Sequence, residues 1–339
     1  MSRKNKFFNK RTERIAIITA VFLVFLLAVA VLLERRIEYK RLQMAEEEAK
    51  AIAESQAQAA AAAISEVEPE EIPDEITSWE VSFDTSWMNA ENAVITSGKA
   101  VLWKAKPSIS NGLTVCINAG HGTAGGESVR TLCHPDGTQK VTGGTTSEGS
   151  STAYAVSSGT ELADGTSEAQ ATLSAARTVK ELLLENGYNV LMIRDEDDVQ
   201  LDNIARTLIA NHYADAHISI HYDSTDWDKG VFFMSVPSSA EYRSMEPVAS
   251  HWEQHNALGR AVVSAIEKEG FTLFEGGEME MDLTQTSYSE IPSIDLEIGD
   301  TKSDHSDTAQ SSIAEGILNG LNNFFMIGGS DSGVESSVS

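Results

Sequence analysis

The sequence predicts an α/β domain with a twisted, largely parallel sheet flanked by helices, preceded by one transmembrane helix and a helical stalk. Three features predict this: strand and helix patterns alternate over 111–327, an apolar run occupies 15–33, and an alanine- and glutamate-rich stretch follows that run. Alternating strands and amphipathic helices are typical of α/β domains. In such sheets, ligands bind beyond the carboxyl ends of the strands.

The amino-terminal segment has the pattern of a membrane anchor. Residues 15–33 are apolar except for Thr19. At about 1.5 Å per residue the run nearly crosses a hydrocarbon core of about 30 Å. The basic residues of 1–14 favour a cytoplasmic tail. A cleaved signal peptide is the alternative, but the small-x-small motif at 28–30 lies inside the apolar run. We therefore expect a single-pass protein of the cell membrane, with its folded domain on the outer side.

The segments around the main domain differ in composition. Residues 34–76 are predicted to be a helical stalk and linker, because 34–66 contain no Gly or Pro and prolines follow. Residues 77–110 contain three tryptophans and are expected to form an extension of unknown role. Residues 328–339 are rich in Gly and Ser and are predicted to be disordered.

The charge distribution excludes one class of partner. The formal net charge is −26, yet the first 41 residues carry ten basic and three acidic side chains. The remainder therefore holds 15 basic and 48 acidic residues, a net charge of −33. Nucleic-acid binding requires cationic contacts with phosphates, so no nucleic acid is expected as a partner.

Within 111–327 the elements follow in a regular order. Leu173, Ala176, Val179 and Leu183 share one face of the first helix, and Gly187 follows as a stop. Strands are predicted at 113–117, 190–193, 216–220, 231–236 and 294–298, and further helices at 204–212, 255–269 and 308–325.

Residues suited to metal binding and acid–base chemistry lie at the ends of these elements. His121 follows the first strand, His221 ends the third, Glu297 ends the last, and Glu168 begins the first long helix. Two histidines and a carboxylate suit zinc, and catalytic zinc sites keep a fourth position open. A further carboxylate can serve as general base. The spacing alone does not single out this set.

Two of these assignments have alternatives. His217 and His221 point to the same face of a strand but lie about 13 Å apart, so only one can bind the metal. His221 is nearer the carboxyl end and is therefore preferred. Glu168 could be present only because an acid in the first turn favours the helix dipole.

The stretch 123–167 is predicted to be an insertion in the domain. Loops longer than about 12–15 residues are usually functional or disordered. The sequence does not distinguish between a gate at the rim of the cleft and a loose surface loop. Cys133 lies in this stretch and Cys116 in the first strand, and a disulfide between them is one alternative in an oxidising exterior.

Four blocks of sequence carry a family resemblance. In order they are VCINAGHG, TSEAQATLSAARTVKELLLENGYNVLMIRDED, NIARTLIANHYADAHISIHYD and IPSIDLEIGD. Together they resemble the zinc-dependent N-acetylmuramoyl-L-alanine amidases over about 112–326. The resemblance implies a Zn²⁺ cofactor held by His121, Glu168 and His221, with Glu297 as the catalytic carboxylate. It also implies that the partner is peptidoglycan, cut between the lactyl group of muramic acid and L-alanine.

The sequence departs from the family pattern at several positions. Asn118-Ala119 replaces the usual Asp-Pro, so the group that orients His121 is expected to differ. Asp295 stands where an apolar residue is usual. Asp295 and Glu297 share a strand face, so coupling between like charges could raise one pKa, unless Asp295 is simply solvated. Other departures are Tyr222-Asp223 and Asp300.

Two other functions are compatible with this pattern. One is a zinc peptidase that cuts within the stem peptide, and the other is a catalytically weak wall-binding or regulatory module. The presence of Glu297 favours an enzyme, because binding alone needs no base. The sequence is compatible with a protein activator but does not identify one.

Overall fold

The computed structural model describes residues 3–66 and 73–326, in two units that divide after Ile72. The first unit holds one continuous helix, α1 (Arg3–Glu66). Residues 34–66 are therefore helical, as their composition predicts. The predicted linker lies partly outside the described residues, and the predicted disordered tail lies wholly outside them.

The apolar run 15–33 also lies within α1. Across the described residues, however, no helix reaches both the length and the hydropathy that a membrane span needs. The predicted transmembrane segment is thus not supported by the structure. This segment and the basic tail before it remain predictions from the sequence.

The second unit is built on an eight-stranded sheet with the order β1-β2-β6-β3-β7-β10-β8-β9, and β4 and β5 form a separate hairpin. The strands are β1 (Thr77–Ser82), β2 (Lys99–Lys104), β3 (Thr114–Ala119), β4 (Arg130–Leu132), β5 (Thr152–Tyr154), β6 (Asn189–Met192), β7 (Ala216–Asp223), β8 (Val231–Ser235), β9 (Leu273–Glu280) and β10 (Ser293–Asp300). The helices are α2 (Glu168–Glu185), α3 (Asn203–Tyr213), α4 (Val248–Lys268), α5 (Thr284–Tyr288) and α6 (Asp307–Phe325).

The centre of the sheet is parallel and its flanks are mixed. β6, β3, β7 and β10 run side by side in the same direction. β2 is antiparallel to β6, β1 to β2 and β8 to β10, whereas β9 is parallel to β8. The predicted largely parallel sheet is confirmed for the strands that carry the site. β3 and β6 are buried along their whole length, whereas β7 and β10 alternate apolar residues with polar or charged ones.

Helices cover both faces of the sheet. α2, α4 and α6 pack together on one face, where the predicted apolar stripe of α2 lies in the main core. α3 covers the other face and packs its Ala205 and Ile209 against a second core cluster that includes Cys116. This second face also bears the polar residues described below, because strand residues alternate between faces.

Three regions differ from the sequence-based expectation or extend it. Residues 77–110 supply β1 and β2 and so widen the main sheet. α4 begins at Val248, seven residues before the predicted start at 255. Neither β9 nor α5 is predicted from the sequence. β9 contains Gly276 and Gly277 at positive φ and lacks a regular alternation of apolar and polar residues.

The inserted stretch 123–167 packs against the rest of the second unit. It contains β4 and β5. Asp282, just after β9, accepts hydrogen bonds from the backbone N–H groups of Val141 at 2.8 Å and Thr142 at 3.0 Å. This packing favours a wall at the rim over a loose surface loop. Cys116 and Cys133 are both buried free thiols, so no disulfide joins them.

Candidate metal centre

Three side chains converge at the carboxyl ends of two central strands. His121 lies two residues after β3, Glu168 opens α2 and His221 lies near the end of β7. Glu168 Oε1 is 2.7 Å from His121 Nε2 and 3.0 Å from His221 Nδ1. The two ring nitrogens are 3.1 Å apart. The structure therefore brings together the three residues that the sequence suggested as metal ligands.

The turn that carries His121 is strained and firmly held. His121 has a φ of 62°, in the left-handed region that residues with a side chain rarely adopt. Arg194 donates to the carbonyl oxygens of Gly120 at 2.9 Å and Ala169 at 2.8 Å, which links this turn to the start of α2. Arg206 donates to the carbonyl oxygen of His121 at 2.6 Å. Both guanidinium groups are buried, so these hydrogen bonds are protected from water.

Glu168 is fixed as a buried carboxylate. Its Oε2 accepts a hydrogen bond from Thr160 N at 2.9 Å, and its Oε1 accepts one from Tyr222 N at 3.2 Å. Burial disfavours the charged form, but hydrogen bonds from the two histidines outweigh it and hold the pKa of Glu168 well below its usual range. A glutamate that only stabilised the helix dipole would not need a buried carboxylate with hydrogen bonds to both oxygens. The geometry therefore supports a role as ligand.

The inserted stretch supplies the group that orients His121. His121 Nδ1 lies 2.8 Å from the carbonyl oxygen of Ser157. Asn118, which replaces the usual acid, instead donates to Ser219 Oγ at 2.7 Å and accepts from Arg206 at 3.1 Å. A backbone carbonyl thus faces the outer nitrogen of His121, as expected for a histidine that binds metal through its other nitrogen.

Two further carboxylates lie beside His221 on β10. Parallel pairing places Glu297 opposite His221 and Asp295 opposite Ser219. Asp295 Oδ2 lies 3.7 Å from His221 Nε2, and the Asp295 side chain is only 15% exposed. The alternative in which Asp295 is simply solvated is therefore wrong. Glu297 is 8% exposed, and its Oε2 has no hydrogen-bond partner among the described residues.

The charges in this cluster shift each other's pKa. Burial disfavours the imidazolium of His221, but the carboxylates around it, Asp295 above all, outweigh burial and raise the pKa of His221 to about 10. Burial raises the pKa of Glu297 well above its usual value, and Asp295 raises it further while His221 opposes the shift. Burial likewise raises the pKa of Asp295. Three acids around two histidines make a site that favours a cation.

The donor set fits a zinc ion. One oxygen and two imidazole nitrogens converge, and these ligand atoms all lie within 4.8 Å of one another. Ligand atoms of a tetrahedral zinc site are about 3.3 Å apart, close to the separations seen here. Neutral imidazoles and an ionised carboxylate are the forms that zinc binds, and His121 and Glu168 each have a hydrogen-bond partner that fixes their orientation.

Comparison with known proteins identifies the family. Residues 115–323 match the family model described as N-acetylmuramoyl-L-alanine amidase. The chain belongs to this family. Its members hydrolyse the amide bond between N-acetylmuramic acid and L-alanine in peptidoglycan, so the second unit is an amidase domain. A search of curated proteins found no match.

Solved amidase structures share the fold of this amidase domain. The N-acetylmuramyl-L-alanine amidase Ami1 from Mycobacterium abscessus is 20% identical, with a TM-score of 0.51 over 63% of this chain and 99% of that chain. Ami1 from Mycobacterium smegmatis is also 20% identical, with a TM-score of 0.52 over 64% of this chain and 98% of that chain. At this identity the likeness concerns the fold.

The metal centre of the amidase domain opens into a cleft of about 920 Å³. The floor holds the candidate ligands together with Asp295 and Glu297. The inserted stretch lines part of the cleft with Lys140, Thr145 and Tyr154, and the methionines Met234, Met279 and Met281 line another part. The cleft therefore combines buried acidic groups at the metal centre with an apolar patch of methionines.

His217, the alternative ligand, lies away from the cluster. It is completely buried in β7, and neither ring nitrogen has a hydrogen-bond partner among the described residues. Burial and, to a lesser degree, the positive charge of Arg206 lower the pKa of His217 to about 3. His217 is therefore a neutral core histidine, and the geometry favours His221 as the ligand.

Sequence reasoning missed several groups that support this amidase site. Arg194 and Ser157 were not singled out, although Arg194 lies in the second family block. Ser157 faces His121 Nδ1 with its backbone carbonyl oxygen at 2.8 Å and its hydroxyl at 3.1 Å, and no local pattern in the sequence marks this contact. Gln285, in α5, receives a short hydrogen bond from Ser219 Oγ and donates to Ser293 Oγ at 2.9 Å. Only the fold shows that these residues meet.

Proposed function

We propose that His121, Glu168 and His221 hold one zinc ion and that Glu297 is the catalytic base of this amidase. The observation that carries the proposal is the convergence of three ligand atoms at the carboxyl ends of β3 and β7. Glu297 lies opposite His221 on the next strand and lines the same cleft. When bound, zinc would polarise the amide carbonyl and make a water molecule more acidic.

The protein residues then have distinct tasks. Glu297 would take a proton from the attacking water and deliver it to the amine of alanine as the C–N bond breaks. Its raised pKa makes the ionised form a stronger base, and a cation in the ligand cluster would favour that ionised form. The unpartnered Oε2 leaves Glu297 free to accept this proton. The lactyl carboxylate and the free amine are the two products.

Zinc content and product analysis test this proposal together. The purified full-length chain is expected to contain about one zinc per chain and to release free alanine amines from purified peptidoglycan. His221→Ala should lose both zinc and activity, whereas His217→Leu should keep zinc. The ligand assignment is wrong if the His217 variant loses the metal and the His221 variant retains it.

The products also separate amidase from peptidase chemistry. Mass spectrometry of the digest should show intact stem peptides that begin with alanine, together with glycan chains that carry free lactyl groups. Cuts within the stem peptide, with the lactyl amide intact, would favour the zinc peptidase instead. If the parent enzyme with zinc releases neither product, the binding or regulatory module gains support.

We also propose that residues 15–33 anchor the chain in the cell membrane, with the amidase domain on the cell-wall side. The support comes from the sequence alone, in the apolar run and its basic flanks. Protease added to intact protoplasts should remove the amidase domain and leave a small membrane-bound fragment. A protected domain, or a mature chain that begins near Val31, would contradict the anchor.

A further inference from the structure

The two candidate zinc-binding histidines each have an inner and an outer ring nitrogen. In His121 the inner atom is Nε2, which faces Glu168, and the outer atom is Nδ1, which faces the Ser157 carbonyl at 2.8 Å. In His221 the order is reversed, because Nδ1 lies 3.0 Å from Glu168 Oε1 and Nε2 points outward. Asp295 Oδ2 lies 3.7 Å from that outer nitrogen.

Asp295 has no other task that the described residues reveal. It makes no hydrogen bond with any of them, and its Oδ1 is buried without a partner. Its strand neighbour Ser219 cannot serve, since that hydroxyl donates to Gln285 and accepts from Asn118. A buried carboxylate without a partner is costly. The position of Asp295 therefore requires a cation or a donor nearby, and His221 is the donor that faces it.

The ring of His221 is confined from the opposite side. A Cβ atom on Gly120 would overlap the ring atoms of His221, so the ring lies directly against the backbone of Gly120. Parallel pairing of β7 with β10 fixes the other side, because Glu297 lies opposite His221 and Asp295 lies two residues earlier. The ring is thus held between a glycine and a pair of acids.

We propose that Asp295 positions His221 for metal binding by accepting a hydrogen bond from Nε2–H. A separation of 3.7 Å is longer than a hydrogen bond of about 2.7–3.2 Å, and a small rotation of the Asp295 side chain closes the difference. The proton is then kept on Nε2, and the lone pair of Nδ1 is directed at the ligand cluster. This inference rests on the proposed role of His221 as a zinc ligand.

The expected effect is on metal affinity. Removing an acceptor that orients a metal-binding histidine typically weakens metal binding by about 10–100-fold. Asp295→Leu and Asp295→Ala both remove the acceptor, and both are expected to raise the dissociation constant for zinc by that factor. Asp295→Asn keeps an acceptor oxygen without the charge, so it should recover part of the affinity.

The experiment measures zinc affinity of the full-length protein by competition with a chelator. The difference in zinc affinity between the Asn and Ala variants reports the acceptor oxygen itself, a readout that a purely structural role would not change. Glu127→Gln is the control, since Glu127 is an exposed acid of the same cleft without a contact to His221. It should leave zinc affinity unchanged.

Each outcome decides the proposal. A 10-fold or larger loss in both the Leu and the Ala variant, with partial recovery in the Asn variant, would support it. Parent-like zinc affinity in either variant without the acceptor would overturn it, as would an Asn variant as weak as Ala. If the parent itself binds no zinc, the proposed metal site fails. If the parent and the Asp295 variants bind zinc equally well, the metal site stands and only the role of Asp295 fails.

Discussion

Asp282 is predicted to hold the wall of the cleft in place, and its removal is the sharpest test of that packing. The side chain is fully buried and accepts hydrogen bonds from His134 Nε2 at 3.0 Å, Lys140 Nζ at 3.0 Å and two backbone N–H groups. Lys140 is 6% exposed on its side chain, so Asp282→Ala would leave a buried ammonium without its counter-charge.

The expected loss follows from that enclosure. Breaking a buried ion pair by removing one partner costs about 3–5 kcal/mol, because the remaining charge stays buried. The free energy of unfolding of the amidase domain should therefore fall by about 3–5 kcal/mol in Asp282→Ala. The double variant Asp282→Ala/Lys140→Met should recover part of this loss, since it removes the unpaired cation as well.

Urea denaturation of the full-length chain in detergent, followed by tryptophan fluorescence, measures this effect. Hydrogen exchange should show that protection is lost first over 134–146, the stretch that Asp282 contacts and that borders the cleft. A matched control is Asp164→Asn, an exposed acid in the same insertion. A loss below about 1 kcal/mol for Asp282→Ala, with 134–146 still protected, would refute the reasoning.

Three further predictions concern the core and the metal centre. His217 has a pKa lowered to about 3, against 6.5 unfolded, so its contribution to stability is complete above about pH 6.5 and lost as the pH falls towards 3. His217→Leu should therefore reduce the slope of unfolding free energy against pH between 6 and 4 by about 1.4 kcal/mol per pH unit, and an unchanged slope would contradict this. Gly120→Ala should displace the His221 ring and weaken zinc binding at least about 10-fold, whereas Gly143→Ala, in open space, should not. Arg206→Lys cannot reproduce the planar set of hydrogen bonds around the His121 turn. Chelator competition should therefore show weaker zinc binding. Parent-like affinity would mean that the turn keeps its conformation without the Arg206 guanidinium.

The sequence predicts the centre of the amidase domain well, because its signals are local. β3 and β6 are short, largely apolar runs, β7 and β10 alternate apolar and polar residues, and the helices between them have clear apolar faces. The ends of β3 and β7 and the start of α2 then indicate where His121, Glu168 and His221 lie. Their mutual contacts follow from the parallel order of the strands.

The remaining features depend on contacts between distant parts of the chain. The pairing of β1 with β2 and of β2 with β6 joins 77–104 to a strand near 190, and no local pattern specifies it. The Ser157 carbonyl reaches His121 only because the insertion packs inward. The sequence leaves open whether Asp295 is coupled to Glu297 or simply solvated, and its place beside His221 becomes visible only in the register of β10 with β7.

The most direct test of the account is amide cleavage by Glu297→Gln at full zinc occupancy. The substitution keeps the size of the side chain but removes the base, and general acid–base contributions are typically about 10²–10⁴-fold. The variant should bind zinc like the parent, fold like the parent and release alanine amines from peptidoglycan at least about 100-fold more slowly. Near-normal release by Glu297→Gln, with zinc bound, would contradict the assignment of the base and with it the central claim about this site.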